Sequence, residues 1–468
     1  MSDHLTDAET FMWRLGRDPW LASTYGALSL LDGPVDLDRL RERLLGAAIR
    51  MQRLRQRVLE GRGQNPRWIT DPEFDLAFHL RHLAMPSSST DIDLLDFAAR
   101  LVDDPFDKTR PLWTFYVIDH GDGSAVLTKL HHSLADGAAG IQLALEYMEL
   151  SAARSSPDRG DPDSSQPDSS ELAKLIRTES PPDDPKAAWA EAVKTGANHR
   201  LGRLRHGLGE VAMYLADRPR IGEHATALFD GVKETAEQLS SRVPPSPIWT
   251  NRSRRRTLRR VSGDLPTAVE AARSRGGSLN DLLLAATAEA AHRVHRARHD
   301  VTDLIPGSFI VSTRSEGELG GNAFSPASIG LPIGEMTLDQ RFDAVVALAL
   351  DAKSKQDDMP DLFEALAGPA RLIPSAGLTL IGRQQAAKLD LATSNLRSSP
   401  VPVWVAGARI VGNCPIGPVG GAAANLTLMS YCDQLDIGIH ADPSAIDDVD
   451  EFVACFADAW AALTRHAA

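Results

Sequence analysis

Cysteine is scarce in this sequence of 468 residues. The chain has three cysteines, Cys414, Cys432 and Cys455, and all of them lie in its last fifth. An odd number of thiols gathered at one end does not suit a disulfide framework. We therefore predict a reducing, cytoplasmic compartment.

Long hydrophobic runs are also missing. No stretch reaches the roughly 18 consecutive apolar residues of a membrane-spanning helix. The first residues carry neither the basic region nor the apolar run of a secretory signal. Any contact with a membrane is therefore expected to be peripheral.

Positive charge is in deficit, because 50 Lys and Arg stand against 63 Asp and Glu, for a formal net charge of −13. No basic stripe runs along the chain, so nucleic acid is not a predicted partner. One basic cluster occupies residues 252–260. We interpret it as a solvated strand edge, and the alternative is a patch for an anionic phosphate of a cofactor or lipid.

The length of the chain suggests two domains. Residues 154–186 are rich in Ser, Pro and Asp, a composition typical of a flexible linker. Residues 187–243 recover helical periodicity and predict a helical crossover between an N-terminal domain, 1–153, and a C-terminal domain, 244–468. Deleting residues 156–183 is accordingly expected to leave substantial activity.

A paired histidine followed at fixed spacing by Asp-Gly is the most informative pattern. It comprises His131, His132, Asp136 and Gly137. Residues 124–130 predict a strand and residues 138–148 a helix, so the pattern lies on a strand-to-helix turn whose tight backbone is supplied by Gly137. A histidine held there can accept a proton from an alcohol.

The pattern also allows other interpretations. A single histidine near a strand end is more often a core residue than a catalyst. His131 and Asp136 also fit the His-x-x-x-x-Asp of membrane glycerolipid acyltransferases, but the second, Gly-rich basic motif of those proteins is missing. His132 and Asp136 lack a third ligand cluster, so no metal site is predicted.

The order of motifs resembles a known family. The H-H-x-x-x-D-G pattern is similar to the signature of the chloramphenicol acetyltransferase-like superfamily. An L-R-Q-R segment (54–57), a D-P-x-F-D turn (71–75) and an R-P-L-W strand (110–113) precede it. Together they resemble the bacterial wax ester synthase/acyl-CoA:diacylglycerol acyltransferase family, especially its actinobacterial members.

The resemblance implies a fold and a mechanism. The fold would be α/β, with two chloramphenicol acetyltransferase-like sandwich domains of mixed sheets and a tunnel at their interface. His132 would act as general base beside His131, in a ternary complex without an acyl-enzyme. The sequence has no G-x-S-x-G nucleophile elbow, which agrees with that expectation.

Further site residues follow from the resemblance. Asn280 and Asp281, and later Ser394 and Asn395, would position substrate, although residues 397–399 depart from the Pro-Gly usual in the family. Ser278 and Asp281 also fit a helix N-terminus. The oxyanion would be bound by the Asn280 amide or a backbone N–H near Gly137.

Structural support would come from Pro111 and Trp113, which fit the start of a strand and the packing beneath it. Asp136 would hold the turn through an arginine. The candidates for that arginine are Arg55, Arg57 and Arg314.

The implied activity transfers an acyl group from acyl-CoA, as co-substrate without a further cofactor, to diacylglycerol or a long-chain alcohol. The alternatives are another hydroxyl or amine acceptor, or a non-catalytic lipid-binding or droplet protein. Because these substrates are insoluble in water, we expect peripheral association with the inner membrane or lipid droplets. The acceptor, the preferred acyl length and the oligomeric state stay open.

Overall fold

The structure is a computed structural model that describes residues 4–60, 66–134, 137–153, 168–179, 243–312, 324–357 and 375–465. Its helices are α1 Asp7–Leu15, α2 Leu37–Arg50, α3 Leu76–His79, α4 Asp91–Asp103, α5 Gly137–Tyr147, α6 Ser169–Glu179, α7 Leu265–Ser274, α8 Leu279–Ala297, α9 Leu338–Asp357, α10 Ser375–Ala386 and α11 Val449–Thr464. Its strands are β1 Thr24–Leu31, β2 Gln56–Leu59, β3 Arg67–Thr70, β4 Leu80–Ala84, β5 Trp113–His120, β6 Gly123–His131, β7 Met148–Glu149, β8 Thr257–Asp264, β9 Leu304–Ser312, β10 Phe324–Pro332, β11 Leu391–Arg397, β12 Trp404–Val405, β13 Ala408–Ile416, β14 Ala424–Tyr431 and β15 Gln434–Ala441. Short 3-10 turns lie at Pro19–Leu21 and Gln52–Arg55.

Two mixed sheets form the framework. The first has seven strands in the order β4-β5-β6-β1-β13-β12-β7, and only its β4–β5 pair is parallel among the described pairings. The second has six strands in the order β10-β9-β11-β14-β15-β8, with β11 parallel to both of its neighbours. The predicted α/β class with mixed sheets is confirmed.

Helices cover each sheet. Helix α8 lies in the core of the second sheet, and its residues 281–291 are all buried. Its sequence is rich in Ala and Leu, which combine high helix propensity with small or regular side chains that pack on all sides. Helix α2 packs its apolar stripe into the core of the first sheet through Leu40, Leu44 and Ala47.

One strand from the C-terminal half of the sequence joins the two sheets. Strand β13 belongs to the C-terminal half of the sequence, yet it pairs antiparallel with β1 in the first sheet. Strand β15 of the second sheet then passes so close that a Cβ on Gly438 would lie 1.8 Å from the Pro415 carbonyl oxygen. Only glycine fits this crossing. The predicted domains 1–153 and 244–468 are therefore interleaved in space.

Side-chain hydrogen bonds cap the starts of several helices. Asp36 caps α2 by accepting a hydrogen bond from the Arg39 amide at 3.0 Å. Ser278 and Asp281 form a capping box at α8, as predicted. Helix α5 begins at Gly137, so the predicted strand-to-helix arrangement of the His-His segment is also confirmed.

Two segments differ from the sequence prediction. The prolines and aspartates of residues 66–75 predict turns, but Arg67–Thr70 forms β3, because the apolar Trp68 and Ile69 pair with β2 and are buried. The apolar residues of 78–84 predict one strand, but this segment begins inside the helical turn α3 and becomes a strand only at Leu80.

The flexible linker predicted for residues 154–186 is wrong where the structure describes it. Ser169–Glu179 is the helix α6, with Leu172 buried. The Glu179 carboxylate accepts two hydrogen bonds from the Arg55 guanidinium, at 2.8 and 2.6 Å. Deleting residues 156–183 would therefore remove a docked helix. Within the helical crossover predicted for 187–243, residues 187–242 lie outside the described residues.

No helix in the described ranges combines the length and the apolar composition needed to cross a membrane.

Candidate active site

The end of β6 fixes the backbone of the paired histidines. Thr24 of β1 is the register partner of His131, and the His131 amide donates to the Leu112 carbonyl at 3.1 Å. The His132 amide donates to the Ser23 carbonyl at 2.9 Å. Both peptide groups are thus held from two sides, which pre-organises the imidazoles that follow.

Trp113 is the first residue of β5, which pairs with this strand end, whereas Pro111, expected at the start of a strand, lies two residues before it. The Trp113 amide donates to the Pro111 carbonyl at 3.1 Å, and Trp113 pairs with Leu130 of β6. The indole is fully buried, donates from Nε1 to the Leu54 carbonyl at 2.7 Å and stacks on His79 at 4.3 Å between centroids. The tryptophan is therefore a satisfied core residue under the histidine strand.

The ring of His131 is buried, with 4% of its surface exposed. Its Nδ1 lies 2.7 Å from the Ser133 hydroxyl and accepts from the Ser133 amide at 3.2 Å. Because that lone pair is used, the neutral ring carries its proton on Nε2. Burial, together with the neighbouring His132 and Lys108, lowers the pKa of His131 to about 3.

A glycine makes room for this ring. A Cβ on Gly16 would lie 3.0 Å from the His131 Nε2, closer than ordinary van der Waals contact. The side chain of Lys108 donates from Nζ to the Gly16 carbonyl at 2.8 Å and fixes the same turn. Gly16 and Lys108 therefore shape the site, although no motif in the sequence marked either residue.

His132 is more accessible than His131 and is only partly buried. Its ring packs on Tyr25 with the centroids 4.4 Å apart. Burial lowers the pKa of His132 to about 4, so the imidazole is neutral at physiological pH. A neutral imidazole at a partly open position has the protonation state that a general base requires.

The rest of the pattern is described in part. Gly137 is the first residue of α5, whereas Asp136 and Arg314 lie outside the described residues. Of the other arginines proposed for Asp136, Arg57 approaches Asp71 at 3.8 Å. Arg55 binds Glu179 and the carbonyls of Ala48 and Ile49. Arg55 therefore anchors α6, and the pairing of Asp136 with an arginine stays a prediction.

Asn280 and Asp281 open the central helix of the second sheet. The Asp281 carboxylate accepts from the Ser278 amide at 2.8 Å and from its hydroxyl at 2.6 Å, which accounts for it as a cap. Asn280 is half-buried in the first turn of α8. Its contact with a substrate stays a prediction.

Ser394 and Asn395 lie on β11. Asn395 is exposed, while the Ser394 hydroxyl bonds to that of Thr427 at 2.9 Å. The Thr427 hydroxyl donates to the Asn425 Oδ1 at 2.7 Å. The side-chain Nδ2 of Asn425 then donates to the Pro418 carbonyl at 3.0 Å. Ser394 is thereby linked to a loop, residues 417–420, that reaches the histidine site.

A cavity of about 120 Å³ lies beside His131, between the two halves of the chain. Its wall includes residues from both halves of the chain. Aromatic rings, charged groups and imidazoles line it: Trp13, Trp20 and Phe106; Arg17, Asp103, Lys108 and Arg256; and His131 and His440. The loop residues Pro418, Val419 and Gly420 complete one side. The structure thus places His131 and His440 in the wall of one cavity, which sequence motifs did not indicate.

The basic cluster at 252–260 is ion-paired. Arg252 binds Asp390, Arg256 approaches Asp103 at 3.7 Å, and Arg259 binds Asp96 at 3.0 Å. Since Asp96 and Asp103 lie on α4, these pairs tie β8 and the segment before it to the N-terminal half. Ionic contacts between the halves replace the solvated edge at Arg256 and Arg259, whereas Arg254 and Arg255 are exposed as that interpretation expected. Among the described residues no group of His, Cys, Asp and Glu is arranged to hold a metal ion.

Comparison with known proteins agrees with this architecture. Residues 2–283 match the model of the wax ester synthase/diacylglycerol acyltransferase catalytic domain, and residues 320–464 match that of the WS/DGAT C-terminal domain. A protein of Mycobacterium tuberculosis that carries the name of a diacylglycerol O-acyltransferase is 28% identical, over 97% of this chain and 90% of its own length. A second relative from that organism, named as diacylglycerol O-acyltransferase tgs1, is 26% identical over 98% and 96%.

Solved structures share the fold at low identity. The wax ester synthase/diacylglycerol acyltransferase from Marinobacter aquaeolei VT8 superimposes with a TM-score of 0.61 at 17% identity, covering 98% of both chains. The first condensation domain of the calcium-dependent antibiotic synthetase gives 0.54 at 17%, covering 99% of this chain and 98% of that one. The predicted chloramphenicol acetyltransferase-like fold is confirmed. Because the catalytic-domain model alone spans more than half of the sequence, the chain belongs to the wax ester synthase/diacylglycerol acyltransferase family.

Proposed function

We propose that the protein transfers a long-chain acyl group from acyl-CoA to the hydroxyl of diacylglycerol or of a long-chain alcohol, with His132 as general base. The observation that carries this assignment is the neutral, partly accessible imidazole of His132 at the end of β6. Membership of the family supplies the reaction class. The imidazole supplies the group that the reaction needs.

The neighbouring ring supports the choice of His132. The Nδ1 lone pair of His131 is used by Ser133, so neutral His131 can donate a hydrogen bond from Nε2 but cannot take a proton there. His131 is also the more buried of the two. His132 is therefore assigned the proton transfer, and His131 a positioning role.

The proposed reaction consists of one addition and one elimination. The hydroxyl proton moves to His132 as the oxygen attacks the thioester carbonyl carbon. The tetrahedral intermediate then collapses, the C–S bond breaks, and the imidazolium returns the proton to the departing thiolate to give free CoA. An N–H donor is needed for the oxyanion, and the Asn280 amide and a backbone N–H at the start of α5 are the proposed groups.

The reaction is tested by release of thiol from palmitoyl-CoA with purified protein. Diolein, 1-hexadecanol, hexadecylamine and no acceptor form the panel, and the lipid product is identified by mass spectrometry. Ester formation with diolein or hexadecanol supports the proposal. Amide formation alone would indicate another acceptor class. Acyl-CoA binding without turnover would indicate a lipid-binding protein.

We also propose that the protein associates peripherally with the inner membrane or with lipid droplets. The support is the insolubility of the proposed acceptors in water. Cell fractionation followed by a carbonate wash is the test. Release into the wash is expected, and retention after carbonate would contradict peripheral binding.

A further inference from the structure

His440 is a buried imidazole that the proposed mechanism does not use. It lies on β15, between Asn425 of β14 and Leu258 of β8, and exposes 2% of its surface. Side chains two residues apart share one face of a strand. His440 therefore faces the same side as Gly438, towards the crossing with the first sheet, and its ring lines the cavity beside His131.

The tautomer of His440 is fixed by the neighbouring loop. Its Nδ1 lies 2.8 Å from the Gly417 carbonyl oxygen, which can only accept, so Nδ1 carries the proton and Nε2 keeps a lone pair. That Nε2 atom is buried and has no hydrogen-bond partner among the described residues. A buried acceptor without a partner is costly, since it loses its bond to water and gains none.

The contact to Gly417 is itself constrained. A Cβ at position 417 would lie 2.4 Å from the Asn425 Oδ1 and 2.6 Å from the Thr427 Oγ1. Glycine is therefore needed for the loop to reach both the Ser394–Thr427–Asn425 chain and His440. The loop holds the imidazole in one orientation, which is expected of a group with a defined partner in the cavity.

Two imidazoles with opposite hydrogen-bonding roles thus line one cavity. Neutral His131 presents an N–H at Nε2, and neutral His440 presents a lone pair at Nε2. The nearby Arg256 disfavours a cation as the partner of His440. A neutral donor, such as a hydroxyl or a secondary amide N–H, complements the lone pair of His440.

We propose that His440 is a substrate-binding residue whose Nε2 accepts a hydrogen bond from a hydroxyl or amide N–H of a substrate seated beside His131. This inference rests on the proposed acyl transfer, in which two substrate parts have that chemistry. One is the hydroxyl of the acceptor, and the other is an amide of the pantetheine arm of acyl-CoA. The alternative is that Nε2 binds ordered water only.

A pair of substitutions separates the two nitrogens of the ring. In His440→Asn, the side-chain amide nitrogen takes the place of Nδ1 and keeps the bond to Gly417, but the Nε2 acceptor is lost. In His440→Gln, the amide oxygen takes the place of Nε2 and the Nδ1 bond is lost. A structural role would make Asn the tolerated residue, whereas substrate binding would make Gln the better one.

The readouts are KM and kcat for palmitoyl-CoA and for hexadecanol or diolein, with the melting temperature of each variant. We expect His440→Asn to raise one KM by about 3–10-fold, as for one neutral hydrogen bond, with kcat less affected. His440→Gln should restore most of that loss. A change in the acceptor KM assigns Nε2 to the hydroxyl, and a change in the acyl-CoA KM assigns it to the pantetheine amide.

Three results would overturn the inference. They are wild-type KM values in His440→Asn, a larger loss in a folded His440→Gln than in His440→Asn, and failure of both variants to fold. If wild-type protein releases no thiol, the proposed function fails separately. The inference is then tested by the rise in melting temperature that palmitoyl-CoA or hexadecanol causes: a smaller rise in His440→Asn than in wild type supports it, and an equal rise refutes it.

Discussion

Lowering the pH from 7 to 5 should separate the activity of the enzyme from its stability. Burial lowers the pKa of His132 to about 4. At pH 5 a group with that pKa is about nine-tenths neutral, whereas a histidine with the ordinary value of 6.5 would be only about 3% neutral. We therefore expect kcat/KM to stay within about twofold of its neutral value at pH 5 and to fall only near pH 4.

The free energy of unfolding, unlike kcat/KM, should fall over this pH range. The pKa values of His79, His131, His132 and His440 are lowered to about 4, 3, 4 and 4. In the unfolded chain these rings take protons near pH 6.5, so the folded state is favoured fully above 6.5 and progressively less as the pH falls towards 4. By pH 5 each ring costs about 2 kcal/mol, and the sum is an upper bound comparable with the whole stability of a domain.

The assay follows from this contrast. Protein kept at pH 7 and 10 °C is diluted into buffers from pH 8 to 4, and initial rates are taken while circular dichroism still reports the folded state. Melting temperatures are measured at the same pH values. An inflection of kcat/KM near 6.5 would refute the assignment of a neutral His132 as base. A melting temperature independent of pH would refute the link between burial of the histidines and stability.

Three substitutions test other parts of the site. His132→Ala should lower kcat by roughly 10²–10⁴-fold with little change in acyl-CoA affinity. The control is His82→Ala, at an exposed histidine, which should leave kcat unchanged. Near wild-type turnover in His132→Ala would end the assignment of His132 as base. Glu179→Ala should lower the unfolding free energy by about 1.5–3 kcal/mol, because the buried Arg55 loses its charged partner. Residues 168–179 should also become accessible to protease. Unchanged protection from protease would contradict the docking of α6. Gly16→Ala should lower the unfolding free energy by about 1–3 kcal/mol and reduce turnover, because the added Cβ displaces the His131 ring. Gly33→Ala is the matched control, since its Cβ would meet nothing within 4 Å. Equal stability and turnover of the two variants would show that the close approach of Gly16 to His131 is not needed.

Local features of the site could be predicted from the sequence because their causes are local. The apolar and β-branched residues 124–130 predict β6, and the Ser278–Asp281 spacing predicts the start of α8. Trp113 is predicted to pack beneath a strand because its large apolar ring gains most from burial. For β6 and α8 the deciding pattern lies within a few residues, whereas the burial of Trp113 follows from the size of its ring.

The features that were missed depend on distant partners. The Arg55–Glu179 pair joins residues 124 apart, and a stretch rich in Ser, Pro and Asp gives no sign that one of its carboxylates binds a buried arginine. His440 is one histidine in an apolar strand and belongs to no motif. Its role depends on the Gly417 carbonyl, which reaches it only because the loop after β13 folds back. Spacing along the chain cannot supply such contacts.

The exchange of β13 explains why the site cannot be assigned to one half of the chain. Strand β1 pairs with β6 on one side and with β13 on the other, so residues 1–153 alone would leave the inner edge of β1 unpaired. An open edge exposes a row of backbone donors and acceptors. Leu28 of β1 would also lose its packing, because it is fully buried in one apolar cluster with Cys414 and Ile416. The loop that follows β13 is also the one that holds His440 and closes the cavity beside His131. The pairing that completes the first sheet therefore also completes the candidate site, and we conclude that folding of the N-terminal sheet and formation of the site depend on the same C-terminal strand.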